Sequence, residues 1–167
     1  PCGEQPLLPF ESCNLGSLNL STIVEKKKIN FEKLERITRS AVRFLDNVIE
    51  MNNYPLKQIA DMTLANRKIG LGVMGFADML IKLEIPYASE QAITKGEEVM
   101  AFIKKIATDQ SSELAKERGN FPNYSKSIFA ETKQPMRNAT VTTIAPTGTI
   151  SLIAGVSSGI EPVYALS

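Results

Sequence analysis

From Asn30 onward, apolar residues recur at three- and four-residue spacing. Leu34, Ile37, Ala41, Phe44, Leu45 and Val48 share one side of a helix, Asn30 is placed to cap its start, and Asn53-Tyr54-Pro55 ends the run. A shorter helix is expected over Leu56 to Asn66 and another from Phe76 to about Leu83. The longest should begin near Ser89, carry a stripe of Ile93, Val99, Ile103, Ile106 and Leu114, and stop at Gly119-Asn120. Strand-like stretches are fewer: one around Ser17 to Ile23, the glycine-bearing Ile69 to Val73, and Ala139 to Ile144, dense in Thr, Val and Ile. Residues 1–15, with prolines at positions 1, 6 and 9, read as a loop. Short strands between long helices predict an α/β arrangement with mainly parallel strands. Three or four strands are too few to close a barrel, so a helix-rich fragment of a larger sheet is expected.

Composition narrows the class. The 167 residues, 43% hydrophobic and 22% charged, suit one globular core. Nineteen basic against eighteen acidic residues leave a net charge of +1, and the one like-charge run, Lys26 to Lys28, reads as a solvated loop. An electrostatic footprint for DNA is therefore not expected. No apolar stretch reaches the roughly 20 residues of a membrane helix, and no signal-peptide pattern opens the chain, so a soluble protein is expected. Pro1 and Ser167 both look like cuts, which suggests an internal piece of a longer chain.

Histidine is absent, which removes Ser-His-Asp and Cys-His nucleophilic sites and His-based zinc sites. Cys2 and Cys13 match neither a zinc knuckle nor a Cys-x-x-Cys pair. They suggest reduced thiols and a cytoplasmic location, and no metal site is expected.

Three segments carry candidate chemistry. In Pro1-Cys2-Gly3-Glu4 a thiol and a carboxylate stand two residues apart, so an extended loop would turn both toward one ligand; taken in isolation, a surface Cys and a solvated Glu are the more common explanation. Gly70-Leu71-Gly72-Val73-Met74-Gly75 satisfies the Gly-x-Gly-x-x-Gly string of dinucleotide folds. It follows polar, helix-compatible residues instead of a buried strand, which favours glycines that allow close packing. In Pro146-Thr147-Gly148-Thr149-Ile150-Ser151 a strand ends at proline, a glycine frees the backbone and three hydroxyls flank amides that could open toward a helix start. Either a phosphate cradle without a Walker lysine or a plain strand-to-helix turn fits.

Together the segments narrow these choices. Pro-Cys-Gly-Glu-Gln-Pro-Leu-Leu-Pro-Phe-Glu-Ser-Cys-Asn-Leu-Gly-Ser-Leu-Asn-Leu closely resembles the finger loop and following strand of ribonucleotide reductase large subunits. The stretch Arg67 to Asp78 looks like a later barrel strand and helix of that family. Ala145 to Ser151, followed by Ser158-Gly159-Ile160-Glu161-Pro162, is similar to its substrate-phosphate segment. The order and separation also fit, over nearly the whole chain.

The resemblance implies a ten-stranded α/β barrel, with residues 1–167 a single fragment of that catalytic domain. Residues 1–15 would be the finger-loop tip and descending arm, and 139–162 the substrate-phosphate region. Cys2 would become the thiyl radical that takes the ribose 3′ hydrogen, Glu4 would accept the 3′-hydroxyl proton, and Cys13 would be one of two reducing cysteines. Gly3, Pro146, Thr147, Gly148, Thr149, Ile150 and Ser151 would hold a ribonucleoside di- or triphosphate. The form Pro-Cys-Gly-Glu with Pro-Thr-Gly-Thr-Ile-Ser is similar to the class using adenosylcobalamin, with an external dithiol such as thioredoxin as reductant. The family's asparagine before the proline and its second reducing cysteine are not in this sequence, so the isolated piece is expected to be inactive. A non-catalytic phosphate-binding or structural fragment, inactive or completed by another chain, and a nicotinamide-dependent oxidoreductase resting on Gly70, Gly72 and Gly75, are the competing readings.

Overall fold

The computed structural model describes residues 3–163. Helix α1 (Phe31–Met51) starts as expected: the Asn30 side chain accepts from Lys33 N at 2.9 Å, a cap of about 1 kcal/mol. Its buried stripe is Leu34, Thr38, Val42, Leu45 and Ile49, one step round from the predicted one, and Phe44 is 65% exposed. The shift arises because two polar residues are buried with partners. Thr38 donates its hydroxyl to Leu34 O, and Asp46 meets Arg67. The predicted stripe overlaps this face: Leu34 and Leu45 are buried and Ile37 and Ala41 pack on the core from its edge, but Val42 and Ile49 belong to its centre.

Helices α2 (Lys57–Asn66), α3 (Phe76–Lys82) and α4 (Glu90–Arg118) lie where the periodicity puts them. Ser89 caps α4 through Ala92 N, and α4 packs on α1 with Val99, Ile103, Ile106 and Leu114 buried. Ile93, expected in that stripe, is 58% exposed.

Strand β1 (Asn14–Asn19) pairs in parallel with a later strand, in register from Asn14↔Ile69 to Asn19↔Met74. It begins earlier than Ser17 and ends at Asn19, because that side chain accepts from Ser21 N and turns Leu20–Ile23 into a 3-10 helix instead of strand. The lysine run is the turn of a small antiparallel hairpin, β2 (Val24–Glu25) and β3 (Lys28–Ile29), with Lys26 and Lys27 both at positive φ as such a turn requires. β4 (Ile69–Met74) is the parallel partner of β1.

The expected strand at 139–144 lies along the other edge of β4 but forms one parallel bridge, Leu71↔Thr142. Leu71 N donates to Val141 O and Thr143 N to Leu71 O. Toward Ile69 the ladder turns irregular: Ile69 N still donates to Thr140 O at 3.2 Å, but the Ile69 carbonyl is taken by the side chains of Thr140 and Gln5. Short helix α5 (Ile128–Glu131) precedes this segment, and α6 (Gly148–Ala154) follows it.

Alternation gives the sheet two different faces. Leu18, Ile69, Leu71 and Val73 join the core formed with α1 and α4. Leu15, Ser17, Gly70, Gly72 and Thr143 line the opposite face.

Candidate active site

The arm from Gly3 to Cys13 lies across that second face and is tied down along its length. Thr143 donates its hydroxyl to Glu4 O, and Gln5 Nε2 donates to Ile69 O at 3.3 Å and Thr140 Oγ1 at 3.1 Å. Lys68 Nζ reaches Pro6 O at 2.9 Å and Glu11 Oε2 at 2.7 Å. Glu11 also accepts from Leu8 N and Asn66 Nδ2. Burial pushes the Glu11 carboxyl up, but the bonds from Lys68, Leu8 and Asn66 outweigh it and hold the group below the ordinary carboxylate range.

The result is a cleft of about 380 Å³ walled by Glu4, Leu15, Ser17 and the loop from Ala145 to Ile150. Glu4 and the Pro146–Ile150 loop, far apart in sequence, thus face the same space. Glu4 Oε2 is buried there with no hydrogen-bond partner among the described residues. A buried acceptor left unpaired is costly, so the oxygen is set up for a donor from a ligand.

The loop is shaped by its own contacts. Thr147 holds φ +55°, an uncommon conformation for a β-branched residue, and its Oγ1 accepts from Gly159 N at 2.7 Å. Gly159 permits this approach: a side chain there would meet Ala145 O at 2.9 Å. The first intrahelical bond of α6 runs from Ser151 N to Thr147 O, so the amides of Gly148, Thr149 and Ile150 have no acceptor within the helix. Gly148, Thr149 and Ile150 are exposed, whereas Ser151 is buried, with its hydroxyl toward Gly148 O and Ser158 Oγ. The left-handed backbone that the loop needs is at Thr147, not at Gly148. A Cβ on Gly148 would meet nothing within 4 Å.

Cys13 is half-buried and lines a separate small cavity of about 40 Å³ with Asn14, Ile49 and Thr63. Burial pushes its thiol up; Lys68 opposes that, while Glu11 and Glu4 add to it. The same carboxylate that faces the cleft therefore acts on Cys13. Cys2 lies outside the described residues, and Gly3 precedes Glu4 at φ +73° with open space around it.

The Gly70-x-Gly72 pair is buried within β4, where side chains would strike Leu15 Cδ2 at 2.4 Å and Thr143 O at 2.8 Å. Gly75 starts α3 at φ +69°. These glycines serve close packing, and none opens to a dinucleotide. The sequence reading missed Ser17, Gln5, Thr143, Lys68 and Glu11. Period-two alternation would have found Ser17, had β1 been started at Asn14.

The protein-family model for the ribonucleotide reductase barrel domain matches residues 1–135 and 130–167. A vitamin B12-dependent ribonucleoside-diphosphate reductase of Thermoplasma acidophilum is 59% identical over all of this chain and 22% of its own length. One from Mycobacterium tuberculosis is 50% identical over all of the chain and 24% of its length. The ribonucleoside-diphosphate reductase subunit alpha of Chlamydia pneumoniae is 39% identical over 91% of the chain and 18% of its length. The chain thus spans less than a quarter of each of these relatives, and by both its family match and these identities it belongs to the ribonucleotide reductase barrel-domain family.

Proposed function

We propose that this chain is the part of a ribonucleotide reductase that holds the ribose and phosphates of a ribonucleoside di- or triphosphate during reduction to the deoxyribonucleotide. The observation that carries the reading is Glu4, whose Oε2 is buried without a hydrogen-bond partner, lining one cleft together with the Ala145–Ile150 loop. In this reading residues 1–15 form the finger-loop tip and arm, 139–162 form the phosphate region, and the parallel run β1–β4–Thr142 is part of a ten-stranded barrel. A cytoplasmic enzyme is proposed, with an external dithiol of the thioredoxin kind as final reductant.

The relatives' names support adenosylcobalamin as the radical source for the parent. The cleft shared by Glu4 and the 145–150 loop, of about 380 Å³, is too small to enclose a corrin ring with its nucleotide tail, so most of that group's binding surface would come from the rest of the parent. No step assigned to this chain passes through it.

Cys2 as a thiyl removes the 3′ hydrogen. Glu4 takes the proton of the 3′-hydroxyl, the work of a positioned general base, and the 2′-hydroxyl leaves as water. Cys13 and a second cysteine become a disulfide and supply two electrons and two protons, one leaving with the 2′-hydroxyl as water and one reaching the 2′ carbon, while Glu4 returns its proton to the 3′ oxygen and Cys2 returns the hydrogen to the 3′ carbon. The balance is ribonucleotide plus two thiols giving deoxyribonucleotide, disulfide and water. The amides of Gly148, Thr149 and Ile150 face the phosphates, with Pro146, Thr147 and Ser151 shaping the turn and Gly3 admitting the sugar.

The test is Cys13→Ser in the full-length protein with 3′-tritiated substrate. Tritium should still be released while normal deoxynucleotide fails to form. Normal multiple turnover with dithiothreitol would remove Cys13 from the chemistry.

A further inference from the structure

Within that cleft we infer that Ser17 is a substrate-binding residue, its hydroxyl meeting the phosphate-bearing end of the sugar between Glu4 and the Gly148 loop. The inference rests on the nucleotide reading of the cleft and adds to it a residue from the sheet itself.

The placement follows from register. In β1, Asn14 donates to Leu45 O and Gly16 sits against the Leu45 side chain, so the even positions face α1. Leu15 and Ser17 therefore face the cleft, which both line. Leu15 pairs with Gly70, and a side chain on Gly70 would strike the Thr143 side chain, the one that holds Glu4 by its carbonyl. Ser17 pairs with Gly72, one step further toward the C-terminal ends of the parallel strands, where the 145–150 loop begins. Ser17 thus stands between the level of Glu4 and the loop.

Its chemistry is uncommitted. Thr143, the other hydroxyl on this face at that level, is used on Glu4 O, and Gly70 and Gly72 carry no side chains. Ser17 Oγ has no hydrogen-bond partner among the described residues and is not sealed in the interior. The missing side chain opposite keeps the space above it open: a Cβ on Gly72 would lie 3.6 Å from Ser17 Oγ. A hydroxyl that can both donate and accept, set between a carboxylate and a row of free amides, suits an oxygen at the sugar–phosphate junction.

The experiment is calorimetric titration of the full-length protein with ADP, CDP and adenosine, using Ser17→Ala, Ser17→Thr and Gly148→Val, with thermal melting as the folding control. Ser17→Ala should bind both diphosphates roughly 3- to 10-fold more weakly, through loss of one hydrogen bond. Adenosine affinity should be unchanged, Ser17→Thr should restore diphosphate binding, and KM should rise with kcat little altered. Wild-type affinity for ADP and CDP in a well-folded Ser17→Ala protein overturns the assignment, as does an equal loss for adenosine. If Gly148→Val alone weakens diphosphate binding, Ser17 is wrong and the cleft reading stands. If neither variant weakens it, the cleft reading itself falls.

Discussion

At the N-terminal end of β4, Arg67 is buried against Asp46, with Nε and Nη2 at 3.1 and 2.9 Å from Oδ1, and Asn138 Nδ2 adds a third donor at 3.0 Å. Arg118 and Arg137 approach the other Asp46 oxygen at 3.3 and 3.5 Å, and Glu50 sits 2.5 Å from Arg67. Burial, together with the charge of Arg67, pulls the Arg137 guanidinium down, and Asp46 opposes that. At the other end of the same strands, Glu4 Oε2, Ser17 Oγ and the amides that open α6 are left without partners among the described residues. One end uses buried charge to lock α1, α4, β4 and the 137–138 turn together. Arg137 Nε is buried there without a hydrogen bond, 3.5 Å from Asp46 and closed in by the network, whereas at the other end the unpaired groups belong to residues that line a cleft open to a ligand.

The contrast is broken most sharply at Glu4. Glu4→Gln keeps the shape of the carboxylate and removes the proton acceptor, so kcat of the full-length protein should fall about 10²- to 10⁴-fold while the melting temperature stays near wild type. Turnover within a few-fold of wild type would mean that the unpaired oxygen has no part in the reaction.

Asp46→Ala tests the opposite end. It would leave three arginine side chains around a hole, and losing one partner of a buried ion pair costs about 3–5 kcal/mol. Urea denaturation should show that loss, while nucleotide affinity of the protein that remains folded is preserved. A stability change confined to a few tenths of a kcal/mol would show that the network is dispensable.

Much of the helical frame was legible because Asn30, Ser89 and Gly119 act locally, within a turn of the backbone they cap. The core face of α1 was legible only in part: Leu34 and Leu45 follow from the apolar spacing, whereas Asp46 is buried by virtue of Arg67 and Asn138, both distant in sequence. The same applies to the site. The Gly3–Glu4 and Pro146–Ser151 segments stood out as motifs, but their convergence on one cleft depends on Gln5 and Thr143 bonding across the sheet. The strand at 139–144 was overcalled because β propensity does not register that side chains have taken the Ile69 carbonyl.

The smallest expected effect concerns the arm that joins the two ends. Glu11 is held ionised by Lys68, Leu8 N and Asn66, and its carboxyl lies below the ordinary value when folded. A depressed carboxyl contributes stability that is fully present above its unfolded value, about pH 4.5, and is lost as pH falls through the lower folded value. Glu11→Gln removes the charge but keeps an amide oxygen for one donor, so it should cost about 1–2 kcal/mol at neutral pH. The difference in melting temperature between wild type and variant should then shrink as the solution is taken below the carboxylate range. A second readout is local. Glu11 helps to hold the Cys13 thiol up, so its removal should bring that thiol down and make Cys13 alkylate faster at a given pH. A melting difference that stays constant from neutral to acid pH, with unchanged Cys13 alkylation, would show that Glu11 is only a spacer. The arm would then be held by Gln5 and Thr143 alone.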